Sequence, residues 1–161
     1  MGVAERVSSK ERPAVLARAA AVLAGVLVLD QLTKHTVAAG IGEGEVRRFL
    51  PAVNLVHVRN KGIAFGVLAG GGPIVLVITL AVLLGLAVYL ARRPDRQGLW
   101  LACGLLVGGA LGNLVDRVAS GEVIDFIKLP LWPAFNVADI AITFGVLALL
   151  WVFEGPREHA G

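Results

Sequence analysis

Four long apolar runs divide the chain: about Pro13 to Lys34, Pro73 to Ala91, Gly98 to Val118 and Phe135 to Phe153. A hydrocarbon core about 30 Å thick needs roughly 20 helical residues per crossing, so each run is long enough to span a bilayer as a helix. Residues 35–72 break the pattern. Within them Val53 to Asn60, VNLVHVRN, alternates with period two and predicts a short strand pairing with the stretch near Arg47 to Leu50. GIAFG and GGG then supply tight turns before Pro73 opens the second helix. The expected fold class is an all-α membrane protein: four transmembrane helices with a small extracytoplasmic β cap, residues 35–72, between helices 1 and 2. All of 1–161 is expected to form one integral membrane domain, the cap lying on the outer membrane surface.

Composition supports the membrane assignment, because 57% hydrophobic and 17% charged residues with mean hydropathy +0.77 exclude a water-soluble domain of 161 residues. Charge sets the expected orientation. Arg6, Lys10 and Arg12 precede the first run, Arg92, Arg93 and Arg96 fill the short second connection, and Arg157 follows the last. The positive-inside rule makes these regions, and so both termini, cytoplasmic. Arg47, Arg48, Arg59 and Lys61 count the other way, but the compact cluster at 92–96 is the stronger signal. Leu29 runs into Asp30 and Lys34 without an A-x-A cleavage site, so the first helix is expected to stay uncleaved.

Several function classes drop out. The 15 basic residues lack the aromatic interleaving of a nucleic-acid surface, so no nucleic-acid partner is expected. Cys103 is the only cysteine, which excludes an intrachain disulfide and a CxxC pair. The surrounding WLACG has the look of a lipobox, yet it lies mid-helix. His35, His57 and His159 are scattered without HExxH spacing, and neither a metal nor another cofactor is expected.

The polar residues at the helix borders carry the chemistry. With the expected topology the first helix ends at Asp30, the third ends with Asn113, Asp116 and Arg117, Asp125 lies in the next connection, and the fourth carries Asn136 and Asp139 in its first two turns. Four of the five aspartates thus meet at one membrane face, Asp95 being the exception. An aspartate at the centre of a membrane helix costs about 2.5–3.5 kcal/mol, less near the interface, so a paired or functional role is the default. Asn113 and Asp116 are three apart, as are Asn136 and Asp139, so each pair shares one helix face and its amide can donate to a carboxylate, as an orienting group beside an acid. Gly104, Gly108 and Gly112 recur every four residues and let another backbone approach the third helix.

Two carboxylates held together in low dielectric share one proton, which is the equipment of aspartic proteolysis. Asp139 can be one of them, and either Asp116 or Asp125 the other. Asp116, beside Arg117, reads as a buried ion pair that fixes the helix end, whereas Asp125, after the flexible SGE, is freer to face Asp139. Two other classes compete. A proton-coupled transporter predicts acids through the membrane depth, which are missing mid-helix; a non-catalytic assembly factor would tolerate Asp139→Asn.

DQLTK at 30–34, RNKGIAFG at 59–66, GGALGNLVDR at 108–117, VIDF at 123–126 and FNVAD at 135–139 resemble, in order, the five signature blocks of the prolipoprotein signal peptidases (lipoprotein signal peptidase, signal peptidase II). The resemblance spans the chain from the first helix to the fourth. It implies an aspartyl endopeptidase of the bacterial cytoplasmic (inner) membrane, with its active site at the outer face. Such an enzyme removes the signal peptide from diacylglyceryl-modified prolipoproteins, cutting before the lipidated cysteine. Carried over, it makes Asp125 and Asp139 the catalytic dyad and leaves Asp116 among the supporting polar residues. Asn60, Asn113, Arg117 and Asn136 would orient substrate and dyad, and Asp30 would hold the end of the first helix near the site. Lys61 departs from the family's pattern, where a small polar residue often stands, and would tune the cap. The expected partners are the prolipoprotein substrates and membrane lipids, a monomer suffices, and Trp132 in IKLPLWP can anchor at the interface.

Overall fold

The computed structural model describes residues 12–61, 72–94 and 96–154. The chain runs α1 (Arg12–Gly40), β1 (Val46–Leu50), β2 (Val53–Asn60), α2 (Gly72–Arg92), α3 (Leu99–Ser120), β3 (Val123–Lys128) and α4 (Val137–Glu154). Among the described residues α1, α3 and α4 are long and apolar enough to cross a membrane. The turns expected from GIAFG and the first two glycines of GGG fall at 62–71, outside the described residues.

Glycine decides how closely the helices pack. A Cβ on Gly104 would sit 2.9 Å from Ala19 O, and one on Gly108 at 2.9 Å from Leu23 O, so both let α1 lie directly against α3. Gly109, on another face of α3, does the same for α4, where a Cβ would meet Ala138 O at 2.5 Å. The spacing expected to admit one neighbour therefore admits α1, and Gly109 admits a second. Away from the acids, Ala19, Leu90, Leu99, Cys103 and Val152 close the bundle, which makes Cys103 a core residue.

α1 does not stop at Lys34. It continues to Gly40, because the added turns bring Val37, and Ile41 just beyond, against Phe126, Leu55 and Ile127 of the sheet. The polar run Lys34-His35-Thr36 reads as a helix end only if the helix must stop at the edge of the lipid. The sheet is three-stranded, with order β1-β2-β3 and antiparallel throughout. β1 and β2 form where VNLVHVRN and Arg47 to Leu50 predict them. β3 is an addition to the expected hairpin: VIDFIK, between α3 and α4 in the chain, pairs with β2, Val58 opposite Asp125 and Asn60 opposite Val123. Gly121, at φ 79, ends α3 by donating its N–H to Arg117 O at 2.9 Å, and turns the chain into β3. Phe135, expected inside α4, instead pairs with Ile127, and α4 begins at Val137.

Candidate active site

The first N–H groups of a helix have no partner within it and must find one elsewhere. At the start of α4 the Asp139 N–H donates to Asn136 Oδ1 at 2.9 Å, and the Asn136 N–H donates to Asp139 Oδ2 at 3.2 Å. This reciprocal cap defines the helix start and fixes Asp139 at its positive end. The next donor, Ala138 N–H, is taken by Asp30 Oδ1 of α1 at 2.8 Å. Asp30 comes this close because Gly112 lacks a side chain: a Cβ there would lie 2.6 Å from Asp30 Oδ2.

Beneath the cap lies a buried cation. Lys34 is 1% exposed, and its ammonium meets Asp30 Oδ2 at 2.7 Å, Asp116 Oδ2 at 2.8 Å and Asn113 Oδ1 at 3.0 Å. Its three N–H donors thus have three acceptors, the condition for a buried charge to be tolerated. Gln31 braces the same acids, donating to Asp30 Oδ2 at 3.2 Å and Asp116 Oδ1 at 3.0 Å. Asp116 also accepts the Ile124 N–H at 3.3 Å, which ties the start of β3 to α3.

The amides then direct their hydrogens toward Asp125 and Asp139. Asn113 Oδ1 faces Lys34 and the Asn136 amide, so its Nδ2 points the other way and donates to Asp139 Oδ1 at 2.9 Å. Asn136 Nδ2 donates to Asp125 Oδ1 at 2.8 Å, and Asn60 Nδ2 to Asp125 Oδ2 at 2.9 Å. Each carboxyl group therefore has two donors, and Asn136 touches both. Asp125 is 3% exposed. Burial holds its carboxyl above the usual carboxylate range, the Asn60 hydrogen bond pulls it back, and the nearby charge of Asp139 pushes it up again.

A cavity of about 320 Å³ opens on Asp125, lined by Val58, Arg59, Asn60, Lys61, Pro133 and Ala134. Glu122 pairs with Arg59 at 3.9 Å and Lys61 at 3.4 Å beside it. Lys61, singled out as a departure in the cap, thus stands at the cavity wall. The cavity can place a peptide carbonyl against the buried Asp125 carboxyl, which Asn136 links to Asp139.

Most of the expected site residues meet here: Asp30, Asn60, Asn113, Asp116, Asp125, Asn136 and Asp139 form one network through α1, β2, α3, β3 and α4. One expectation needs correction. Asp116 pairs with Lys34 and not with its neighbour Arg117, because successive helical residues point to different faces. Arg117 is exposed and donates to the Asn113 carbonyl at 3.4 Å. The asparagine amides do donate to carboxylates, and the acceptors lie on other elements: Asp139 of α4 for Asn113 and Asp125 of β3 for Asn136. Lys34 and Gln31 were missed. Their signal was the position of Lys34 four residues after Asp30, on the same helix face, inside an apolar run.

Residues 22–153 match the family model described as signal peptidase (SPase) II. This chain belongs to the signal peptidase II family. It is 43% identical over 141 residues to the lipoprotein signal peptidase of Moorella thermoacetica, covering 84% of this chain and 92% of that protein. It is also 43% identical over 147 residues to the lipoprotein signal peptidase of Syntrophotalea carbinolica, covering 84% and 91%. A bacterial membrane enzyme solved by the in meso method at 1.9 Å resolution superposes with a TM-score of 0.79 at 32% identity, covering 86% of this chain and 94% of that one. Signal peptidase II enzymes cleave signal peptides from prolipoproteins, so the network described belongs to a membrane-bound peptidase.

Proposed function

We propose that Asp125 and Asp139 are the catalytic pair of an aspartyl endopeptidase that cuts diacylglyceryl-modified prolipoproteins before the lipidated cysteine. The observation that carries this reading is Asn136, which hydrogen-bonds both carboxyl groups, Asp139 and the cavity-lining Asp125. The two carboxyl groups share one proton, and in this assignment Asp125 serves as the acid and Asp139 as the base. Asp139 takes a proton from water, the water oxygen attacks the scissile carbonyl carbon, and Asp125 donates its proton to the carbonyl oxygen. Collapse of the tetrahedral intermediate breaks the C–N bond. The leaving amine takes the proton from Asp139, and the hydroxyl proton released on collapse returns to Asp125. Asn60, Asn113 and Asn136 hold the two acids, while Asp30 and Asp116 hold Lys34 beneath them.

In this reading α2 crosses the bilayer with the other three helices, which gives four spans. Both termini are cytoplasmic, and the acids lie at the outer face of the bacterial cytoplasmic membrane. The arginines at 92–96 support that orientation. A single chain supplies every residue of the network, so the enzyme works as a monomer, on a lipid-embedded substrate and without nucleic acid.

The test assays Asp116→Asn, Asp125→Asn and Asp139→Asn side by side on a diacylglyceryl-modified prolipoprotein. Asp125→Asn and Asp139→Asn should each lose at least about a thousandfold in kcat while still inserting into membranes. Asp116→Asn should chiefly lower stability. Full turnover in Asp125→Asn would falsify the assignment.

A further inference from the structure

Two turns at one end of the sheet are built alike. β1 passes into β2 through Leu50-Pro51-Ala52-Val53, with Ala52 at φ 63. β3 leaves toward α4 through Leu129-Pro130-Leu131-Trp132, closed by the Trp132 N–H on Leu129 O at 3.3 Å, with Leu131 at φ 60. Proline second and a left-handed residue third is the type II pattern, whose third position favours glycine. Neither turn uses glycine. At 131 the chain accepts the strained conformation and presents a leucine that is 105% exposed.

The register Asn54↔Lys128 beside Leu50↔Val53 puts both turns at the same end of the sheet, within about two strand spacings, or roughly 10 Å. Phe49 is 61% exposed, Leu50 53% and Trp132 61%. Arg48 and Lys128 both pair with Asn54, so their side chains share one face next to the turns. The Lys128 ammonium also meets Trp132 O at 2.6 Å and holds the second turn in shape. Asn136, buried at the start of α4, follows Trp132 by four residues, which limits their separation to about 14 Å. The turns therefore stand close to the level at which α4 enters the bilayer.

We propose that the paired turns are a membrane foot. Leu50, Leu131 and Trp132 enter the interfacial layer of the leaflet on the acid side, and Arg48 and Lys128 lie over lipid phosphates. Three features favour lipid as the occupant: the reach to a membrane-spanning helix, a tryptophan beside bulky aliphatic side chains, and two cations on one face. The foot would hold β3, and with it Asp125, at a fixed height above the bilayer. The inference rests on the membrane placement of the chain and not on the peptidase reading.

Trp132 offers a direct probe in the full-length protein. With Trp100→Phe and Trp151→Phe it is the only tryptophan, and the protein is reconstituted in phospholipid nanodiscs with and without lipids brominated near the headgroup end of the acyl chains. The expected result is blue-shifted emission, loss of roughly half or more of the intensity in brominated lipid, and little quenching by aqueous acrylamide. Leu131→Gly keeps the turn and removes the contact, and should shift Trp132 emission to the red without lowering the yield of folded protein. Emission typical of water with efficient acrylamide quenching overturns the proposal. So does a blue shift that brominated lipid leaves unquenched and that disappears when each disc holds one chain, because a second copy would then cover the turns. None of these readings requires turnover, so an inactive preparation still decides between them.

Discussion

Lys34 shows how one residue sets the chemistry of others it does not touch. Its ammonium, together with the Asn136 amide, fixes Asn113 Oδ1 and so turns the Asn113 amide hydrogens toward Asp139. Its charge also favours the ionised form of Asp125 and works against the effect of burial. Lys34→Met removes both influences. In the proposed mechanism Asp125 donates a proton to the scissile carbonyl, so the alkaline limb of kcat/KM marks the pH at which it loses that proton. Without Lys34 that proton is held more tightly and the limb should move to higher pH, while kcat falls about tenfold or more as Asn113 loses its orientation. Lys34→Arg should recover the position of the limb better than it recovers kcat. An unmoved limb in Lys34→Met would show that the lysine has only a structural role. The same group has a stability consequence: because its pKa is raised on folding, Asp125 contributes stability that is present at low pH and lost as pH rises through its folded value.

At the scale of elements, the site depends on how closely α1, α3 and α4 approach. Asp30 reaches the first turn of α4 only across the bare face of Gly112, and Gly109 admits Ala138 beside it. Gly112→Ala would push a methyl into the Asp30 carboxylate, which is held between Lys34 and α4 and cannot swing away. Overpacking of this kind costs about 1–3 kcal/mol. The expected outcome is a lower thermal midpoint in detergent together with a larger loss of kcat than of substrate affinity. Gly25→Ala, where an added Cβ meets nothing within 4 Å, is the matched control and should leave both unchanged. Equal behaviour of the two variants would mean that helix approach does not set the acid geometry. β3 matters in the same way, because strand pairing with β2 holds Asp125 opposite Val58 and within reach of Asn60.

For the whole molecule, a half-open cavity at the border of an apolar bundle suits a substrate that is itself anchored in lipid. Each buried CH₂ of an acyl chain contributes about 0.8 kcal/mol, so a diacylglyceryl group can position a scissile bond that the small cavity could not hold alone. An unmodified precursor should therefore be cleaved at least about a hundredfold less efficiently, chiefly through KM, and comparison of the two precursors in the same lipid measures this. Equal rates would contradict it.

Apolar length and period-two alternation are local properties that survive in any surroundings, so the membrane character, the approximate helix positions and the β1–β2 hairpin were legible along the chain. The sequence also brought the acids to one face, because the cost of burying charge forces Asp30, Asp116, Asp125 and Asp139 toward the ends of apolar runs. It could not separate Asp116 from Asp125 on physical grounds, and it set Asp116 beside Arg117 through adjacency along the chain. The fold shows Asp116 paired with Lys34 and Asp125 lining the cavity, which adjacency along the chain could not reveal. Hydrogen-bond partners on different elements follow from where α1, α3 and α4 cross, and that depends on glycines whose role is visible only when a neighbouring backbone occupies the space. β3 stayed hidden for the same reason: a strand of six residues gains its stability from β2 and from the end of α1, which lie far from it in sequence and next to it in the fold.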